Sequence, residues 1–300
     1  MDNSHPKIPI VFATDHNFVV PTTVAIMSLL KNSENCGYEI FIIVSDNVTD
    51  NDKRILEAQV CPQNKVSSHS ITFLNAGEEF KEAYETRGVS NACYYRLMIP
   101  WLLPQFDKVI YSDSDVVFKG SLNDIFNHDL KGSLVAGVTG KIWSKPLLKR
   151  YLNRRGLSEK EYINSGFLLI NSSLQRELNL KDEYLRHSGK KYVYQDQDII
   201  NIVCKGKIAH LPGEYNVKPK QTQSLYPGSV KILHFIGQKP WESHSPGSGE
   251  WWEYYKGSAA FNQDFYNQHK RHGNSLKKLE ILFKRKIEKL RLATNLVRSR

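Results

Sequence analysis

The chain has 300 residues, of which 40% are apolar, 24% charged and 11% aromatic, the profile of a soluble globular protein with one large or two small domains. This composition excludes collagen, coiled-coil, disulfide-scaffold and disordered proteins. The net charge is +10, but residues 267–300 alone hold 11 Lys and Arg against 2 Asp and Glu. The basic character therefore belongs to a C-terminal tail, and the preceding residues are close to neutral.

The four cysteines and the N-terminus both point to the cytoplasm. Cys36, Cys61, Cys93 and Cys204 are far apart and lack zinc-binding spacing, so we expect reduced thiols. The first residues lack the basic region and the long apolar stretch of a signal peptide. No segment approaches the roughly 20 apolar residues that span a bilayer.

Short apolar runs alternate with segments of helical periodicity along the first half of the chain. This alternation predicts an α/β fold, a Rossmann-like and mostly parallel sheet flanked by helices. The sequence lacks the GxGxxG and P-loop signatures of nucleotide binding. Strands are predicted over 8–14, 38–44, 69–74, 108–111, 166–170 and 231–233, helices over 18–31 and 49–60, and loops over 211–230 and 242–250.

Two acidic residues follow the fourth predicted strand. Asp113 and Asp115 lie two positions apart, where strand 108–111 ends. In open α/β sheets ligands bind at the carboxyl ends of the strands. Such a pair can chelate one divalent cation that bridges phosphate oxygens. The alternative is a solvated turn with two surface acids.

A histidine at the end of a later strand offers a third ligand. His234 follows the predicted strand 231–233, and neutral imidazole binds divalent metals. Gly237 would let the backbone approach a phosphate, and Lys239 would supply a positive charge. The alternative is a histidine packed beside a core aromatic residue.

Three further segments combine polar and apolar residues. Asp196 and Asp198 lie near the start of a predicted helix, where either could serve as its N-cap. Asn164 precedes a buried strand, and Arg96 lies on an otherwise apolar helix. Each of these can equally have a structural role.

Together and in this order, these segments resemble glycosyltransferase family 8. This family has the GT-A fold and includes bacterial α-galactosyl- and α-glucosyltransferases of lipopolysaccharide and lipooligosaccharide cores. The resemblance covers about residues 8–241 and depends on FATDHNF (12–18), YYRL (94–97), YSDSD (111–115), NSG (164–166), QDQD (195–198) and HFIGQKPW (234–241).

The resemblance implies which residues bind the donor. Asp113, Asp115 and His234 would bind Mn²⁺ (or Mg²⁺), which holds the diphosphate of UDP-galactose or UDP-glucose. The other implied donor-binding residues are Ala13, Thr14, Asp15, Asn17, Phe18, Arg96, Ser114, Asn164, Gly237 and Lys239. The chain departs from the family in two places: Phe18 lacks the hydroxyl of the Tyr that is frequent there, and one residue rather than two separates Gly237 from Lys239.

The resemblance also implies Asp196 and Gln197 at the catalytic centre and retention of anomeric configuration. A covalent route needs a nucleophile beneath the sugar ring. Gln197 occupies that family position, and a carboxamide is a poor nucleophile. We therefore expect front-face attack by the acceptor hydroxyl, with the departing phosphate as base and Asp196 binding sugar hydroxyls.

The C-terminal residues predict contact with an anionic membrane. Four aromatic residues lie at 251, 252, 254 and 255, and apolar residues recur at helical spacing from Leu276 to Val297 among Lys and Arg. A basic amphipathic helix of this kind is typical of interfacial segments. The alternatives are a helix packed on the domain and, less favoured because the domain is neutral, a nucleic-acid patch.

The sequence thus predicts a transferase domain over 1–241 and an aromatic and basic extension over 242–300. The expected activity is metal-dependent, retaining transfer of galactose or glucose from a UDP-sugar to a lipopolysaccharide or other surface glycan, at the inner face of the cytoplasmic membrane, without nucleic acid. One alternative is a sugar-phosphate nucleotidyltransferase, although Asp15 and Asn17 stand where its Gly-rich loop would be. The other is a non-enzymatic membrane or nucleic-acid binding protein.

Overall fold

A computed structural model of the chain describes residues 7–34, 36–60, 69–84, 91–140, 146–221, 226, 228–242 and 245–271. The strands are β1 Ile8–Thr14, β2 Tyr38–Val44, β3 Ser70–Asn75, β4 Lys108–Ser112, β5 Val116–Phe118, β6 Val135–Thr139, β7 Ile163–Asn171, β8 Ile208–His210 and β9 Ile232–His234.

The α-helices are α1 Val19–Lys31, α2 Asp50–Ala58, α3 Ile99–Leu102, α4 Asn123–Phe126, α5 Pro146–Arg154, α6 Ser172–Glu177, α7 Lys181–Ser188, α8 Gln195–Val203, α9 Ser248–Lys256 and α10 Gln263–Arg271. Short 3₁₀ helices cover His16–Phe18, Asn91–Met98, Gly213–Tyr215 and Pro219–Gln221.

Seven strands form one sheet in the order β3-β2-β1-β4-β7-β6-β8, and only β7 runs against the others. The first four strands pair in parallel, with Ile10 of β1 opposite Ile40 on one side and Ile110 on the other. The predicted α/β class with a mostly parallel sheet is confirmed.

Helices cover both faces of the sheet because its central strands are apolar throughout. Side chains alternate along a strand, so Ile10 and Val11 of β1 enter two different hydrophobic clusters. Ile26 of α1 packs in the first cluster, and Ile199 of α8 packs in the second. The core thus lies in two layers, one on each side of the sheet.

The element boundaries agree closely with the predicted ones in the first half of the chain. Helix α2 begins one residue later than predicted because the Thr49 hydroxyl caps it, accepting from the Asp52 N–H while the Asp52 carboxylate accepts from the Thr49 N–H. Strand β7 begins at Ile163 rather than 166. The predicted loop 242–250 is wrong in its last residues, since α9 begins at Ser248.

Helix α9 folds back onto the domain through its aromatic residues. Trp251, Trp252 and Tyr255 are buried in one cluster with Val24 of α1. Trp251 stacks on Tyr255 with ring centroids 5.5 Å apart. Tertiary packing of these large side chains outweighs the loop-forming Gly and Ser residues before them. These three rings are therefore part of the core and do not form a lipid-facing surface.

The predicted basic amphipathic helix lies outside the described residues, which end at 271. Within the part of the chain that the structure describes, no helix combines the length and the apolar character needed to cross a bilayer.

Candidate active site

The two carboxylates and the histidine of the predicted metal site lie together. Asp113 and Asp115 lie between β4 and β5, and β5 pairs antiparallel with β9 so that Val116 is opposite His234. One ligand atom from each of the three residues lies within 4.8 Å of the others. His234 Nε2 is 3.2 Å from Asp115 Oδ1 and 3.6 Å from Asp113 Oδ2.

The surroundings of this cluster fit a divalent cation. Carboxylate oxygens and an imidazole nitrogen are suitable ligands for Mn²⁺. A Cβ at Gly166 would lie 2.2 Å from His234 Cε1 and 2.6 Å from Asp113 Oδ2, so only glycine leaves room for both side chains. The Asp113 N–H donates to the Gly166 carbonyl at 2.8 Å, which fixes the backbone around the site.

A loop asparagine orients the histidine ring. Asn216 Oδ1 lies 2.8 Å from His234 Nδ1, and Asn216 Nδ2 donates to Asn164 Oδ1 at 2.7 Å. With Nδ1 as the donor, Nε2 keeps its lone pair toward the carboxylates, as a metal ligand requires. Sequence reasoning missed Asn216, because a single Asn between Pro and Gly residues carries no functional signal.

Arg96 joins the metal cluster to the catalytic pair predicted on α8. Its Nη1 lies 3.0 Å from Asp113 Oδ1, and its Nε lies 3.2 Å from Asp196 Oδ2. The guanidinium packs on the Tyr111 ring at 4.3 Å, and the Tyr111 hydroxyl donates to Asp113 Oδ1 at 2.9 Å. Arg96 is 7% exposed. Since a buried charge needs partners, Arg96 ties the two carboxylates together.

Lys239 adds a second cation on the other side of the cluster. Its amine forms an ion pair with Asp115 Oδ2. Burial alone would raise the pKa of Asp115, but the positive charge of Lys239 beside it outweighs burial and holds that pKa below its usual value. Asp115 is therefore ionised. The spacing of one residue after Gly237 still brings Lys239 to the carboxylates.

Asp196 and Gln197 occupy the first turn of α8, beside the start of β7. The Ser165 hydroxyl donates to Asp196 Oδ2 at 2.8 Å. Burial raises the pKa of Asp196 despite the opposing charge of Arg96. Gln197 Oε1 accepts from Asn164 Nδ2 at 2.8 Å and from the Ser165 N–H at 3.3 Å. Asn164 and Ser165 reach the site because β7 runs antiparallel and begins at its edge.

Asp198 is fully buried and was not among the predicted site residues. Its carboxylate accepts from the hydroxyls of Tyr151 at 2.7 Å and Tyr162 at 2.6 Å, and from the Tyr194 N–H at 2.8 Å. Tyr162 in turn accepts from Gln197 Nε2 at 3.0 Å. The predicted N-cap role is wrong for both Asp196 and Asp198, because both lie inside α8 and its N-cap is Tyr194; Asp198 instead accepts the N–H of that residue.

The predicted nucleoside-binding residues lie at the end of β1, next to Ser114. Thr22 Oγ1 is 3.0 Å from Thr14 Oγ1 and 2.8 Å from Ser114 Oγ, which links β1 to the acidic segment. Of the remaining predicted residues, Ala13 is half-buried at the end of β1, Asn17 is exposed, and Gly237 is exposed with a φ of 92°.

Asp15 and Phe18, two of the predicted nucleoside-binding residues, already have partners within the protein. The Asp15 carboxylate accepts the Phe18 N–H at 3.1 Å and so caps the 3₁₀ helix His16–Phe18. The Phe18 ring meets Trp241 edge to face, with centroids 6.0 Å apart. The structure thus brings the predicted donor residues to one edge of the sheet.

The cluster of two carboxylates and a histidine lies at the carboxyl edge of a mostly parallel sheet, between the buried Arg96 and the half-buried Lys239. Such an arrangement is typical of an enzyme that handles phosphate-bearing substrates. The model of the family described as "Glycosyl transferase family 8" matches residues 9–245. The chain belongs to this family and is a glycosyltransferase. The alternative interpretations, a nucleotidyltransferase or a non-enzymatic binding protein, are therefore rejected.

Curated relatives and a solved structure are similar over most of the chain. A lipopolysaccharide 1,2-glucosyltransferase of Escherichia coli K12 is 27% identical over 80% of this chain and 74% of its own length. A lipopolysaccharide 1,3-galactosyltransferase of Salmonella typhimurium LT2 is 26% identical over 79% and 74%.

The crystal structure of the galactosyltransferase LgtC in complex with donor and acceptor sugar analogs superposes with a TM-score of 0.71. It is 22% identical and covers 87% of this chain and 100% of that chain. This likeness confirms the predicted GT-A fold.

Proposed function

We propose that this protein is a metal-dependent, retaining hexosyltransferase that moves galactose or glucose from a UDP-sugar to a hydroxyl of a lipopolysaccharide or other surface glycan. The observation that carries the proposal is the convergence of Asp113, Asp115 and His234, with Lys239 and Arg96 on either side. Relatives named as lipopolysaccharide glucosyl- and galactosyltransferases support both candidate sugars and this class of acceptor.

Asp113, Asp115 and His234 would hold Mn²⁺ or Mg²⁺. When bound, the ion supplies positive charge to the donor diphosphate and stabilises the leaving UDP. Lys239 Nζ, now paired with Asp115, is placed to pair with a phosphate oxygen when the donor binds. Both effects are electrostatic and increase as negative charge develops on the leaving group.

The nucleoside end of the donor would lie along the end of β1. In our proposal Ala13, Thr14, Asp15, Asn17, Phe18 and Ser114 surround the uridine, and Gly237 lets the backbone approach the diphosphate. Phe18 is held by Trp241, which supports a fixed apolar wall for the base. Arg96 and Asn164, which contact Asp196 and Gln197, would face the donor sugar.

The hydrogen bonds around Gln197 argue against a covalent intermediate on that residue. Its Oε1 accepts from Asn164 and Ser165, and its Nε2 donates to Tyr162, so the amide is fixed in one orientation. A carboxamide oxygen with two donors is a poor nucleophile. Attack from the front face then forms the bond between the acceptor oxygen and the anomeric carbon as the bond to phosphate breaks. The hydroxyl proton passes to the departing phosphate oxygen.

Asp196 would bind hydroxyls of the donor sugar rather than attack it. Its Oδ2 accepts from Ser165 and pairs with Arg96, which lowers the nucleophilicity of that oxygen. Isolation of a glycosyl-Asp196 adduct by mass spectrometry after incubation with donor would overturn this assignment.

The test is UDP release from UDP-glucose and UDP-galactose, with and without Mn²⁺. We expect slow hydrolysis of one donor that requires the metal and is lost in Asp115→Ala, but retained in Asp124→Ala, which removes an exposed carboxylate on α4. If neither donor is hydrolysed or bound when Mn²⁺ is present, the proposal fails.

We also propose that the basic tail places the enzyme on an anionic membrane surface. The support is the sequence of 272–300, where Lys and Arg alternate with apolar residues at helical spacing. Each basic residue near an anionic surface adds about 1 kcal/mol of attraction. A peripheral position would bring the active site to a lipid-linked acceptor.

A further inference from the structure

The connection between β6 and β7 is much longer than these strands require. The two strands are antiparallel neighbours, and such strands can be joined by a turn of about two residues. Here residues 140–162 join them, and the Gly140 N–H donates to the Tyr162 carbonyl at 2.9 Å where the connection closes. Because Asn164 at the start of β7 contacts Gln197, the end of the connection that enters β7 lies at the catalytic edge of the sheet.

This connection is strongly basic although the domain is not. Residues 140–162 contain seven Lys and Arg against two Asp and Glu, whereas the other residues of 1–266 contain 23 Lys and Arg against 27 Asp and Glu. Part of this excess lies on α5, which the structure describes. The local charge is therefore opposite in sign to that of the rest of the domain.

Helix α5 exposes basic side chains on one face and buries apolar side chains in the core on the other. Leu148 and Leu152 are buried, while Lys149, Arg150 and Arg154 are exposed. We call these three residues the basic face. Like charges at positions i and i+4, as at 150 and 154, destabilise a helix. Lys149 lies 3.8 Å from Glu159, and among the residues that the structure describes neither Arg of the basic face forms an ion pair.

Helix α5 is fixed relative to the catalytic residues. The Tyr151 hydroxyl donates to Asp198 Oδ2 at 2.7 Å and accepts from the Val193 N–H at 3.0 Å. Asp198 follows Gln197 directly in the first turn of α8. Buried charge-assisted hydrogen bonds of this kind are strong, so α5 keeps a defined position next to the first turn of α8, which carries Asp196 and Gln197.

We propose that the basic face binds phosphate groups of the saccharide acceptor; this rests on the proposed function. Guanidinium groups match the geometry of phosphate oxygens and bind them in bidentate fashion. A phosphate-bearing glycan fits better than a bilayer, because Leu148 and Leu152 face the core and are not available to insert into lipid. Phosphate recognition beside the site would select the acceptor without touching the reacting hydroxyl.

The experiment uses core oligosaccharide from deacylated lipopolysaccharide as the probe, before and after removal of its phosphates with hydrofluoric acid. Binding to the full-length protein is measured by calorimetry with Mn²⁺ and UDP present. The test variant is Lys149→Gln/Arg150→Gln/Arg154→Gln. The matched control, Arg54→Gln/Lys131→Gln/Lys256→Gln, loses the same charge at exposed positions elsewhere.

We expect about tenfold weaker binding of the phosphorylated oligosaccharide to the test variant, from three exposed charge contacts, and no change for the control. The dephosphorylated oligosaccharide should bind wild type and test variant equally. Equal binding of the phosphorylated probe to wild type and test variant would overturn the proposal. The proposal would also be overturned if the three substitutions weakened only the binding of the protein to phosphatidylglycerol vesicles.

Hydrolysis of the UDP-sugar without acceptor separates this proposal from the proposed function. That reaction does not involve the basic face, so the test variant should hydrolyse the donor at the wild-type rate. If wild type binds the phosphorylated oligosaccharide but does not hydrolyse the UDP-sugar, the proposed function alone is refuted.

Discussion

Gly166→Ala is the substitution that most directly probes the metal cluster. The added methyl group would lie 2.2 Å from His234 Cε1 and 2.6 Å from Asp113 Oδ2, where non-bonded carbon contacts are normally about 3.5–4 Å. His234 is 3% exposed, so the ring must move by roughly 1 Å within a packed interior. Overpacking of this kind costs about 1–3 kcal/mol of unfolding free energy.

Displacement of two ligands should weaken metal binding as well as the fold. Loss of ligand orientation typically costs about 10–100-fold in metal affinity. We expect a rise of that size in the Kd for Mn²⁺, measured by titration calorimetry in the presence of UDP. Electron paramagnetic resonance of free Mn²⁺ gives an independent measure that does not depend on turnover.

Gly189→Ala is the matched control. Gly189 follows α7 with a φ of −76°, and a Cβ there meets no atom within 4 Å. This variant should bind Mn²⁺ as wild type does. A folded Gly166→Ala protein with wild-type Mn²⁺ affinity, or a wild type that binds no Mn²⁺, would refute the assignment of His234 and Asp113 as ligands.

Three further predictions concern stability and the tail. Tyr162→Phe removes a donor from the buried Asp198 carboxylate and should lower the urea unfolding free energy by about 1–3 kcal/mol; unchanged stability would contradict it. Burial raises the pKa of Tyr38 from 10.0 to about 12, so the folded state keeps a proton that the unfolded state loses. The unfolding free energy should therefore fall by about 2 kcal/mol more in wild type than in Tyr38→Phe between pH 10 and 12, and equal pH profiles for the two proteins would argue against this. Deletion of 272–300 should release the protein from phosphatidylglycerol liposomes, and unchanged sedimentation would exclude the tail as the anchor.

Local sequence patterns were sufficient to predict the strands that form the parallel half of the sheet. The runs at 8–14 and 38–44 are apolar at nearly every buried position, and both strands have the predicted bounds. Continuous burial on two faces leaves this signature in the sequence itself. Strand β8, with three residues, lacks enough positions to show a period, and it was not predicted.

The direction of β7 could not be predicted from its residues. An apolar strand has the same local pattern whether it runs parallel or antiparallel to its neighbour. Its direction decides that Asn164 and Ser165, at the beginning of the strand, reach Asp196 and Gln197. Likewise, the aromatic residues of α9 look suitable for a membrane surface in sequence, yet their large apolar area is buried against α1.

By itself the sequence determined the chemistry available to this protein: two carboxylates after a buried strand, a histidine after another, and a lysine and an arginine nearby. Ligand type is a property of single residues and can be recognised in a linear pattern. Only the tertiary structure decided that these groups meet. The pairing of β5 with β9 places Asp115 beside His234 across more than a hundred residues, Gly166 leaves the space between them, and Asn216 orients the ring. Such contacts depend on strand register and packing between distant segments, which no local pattern encodes.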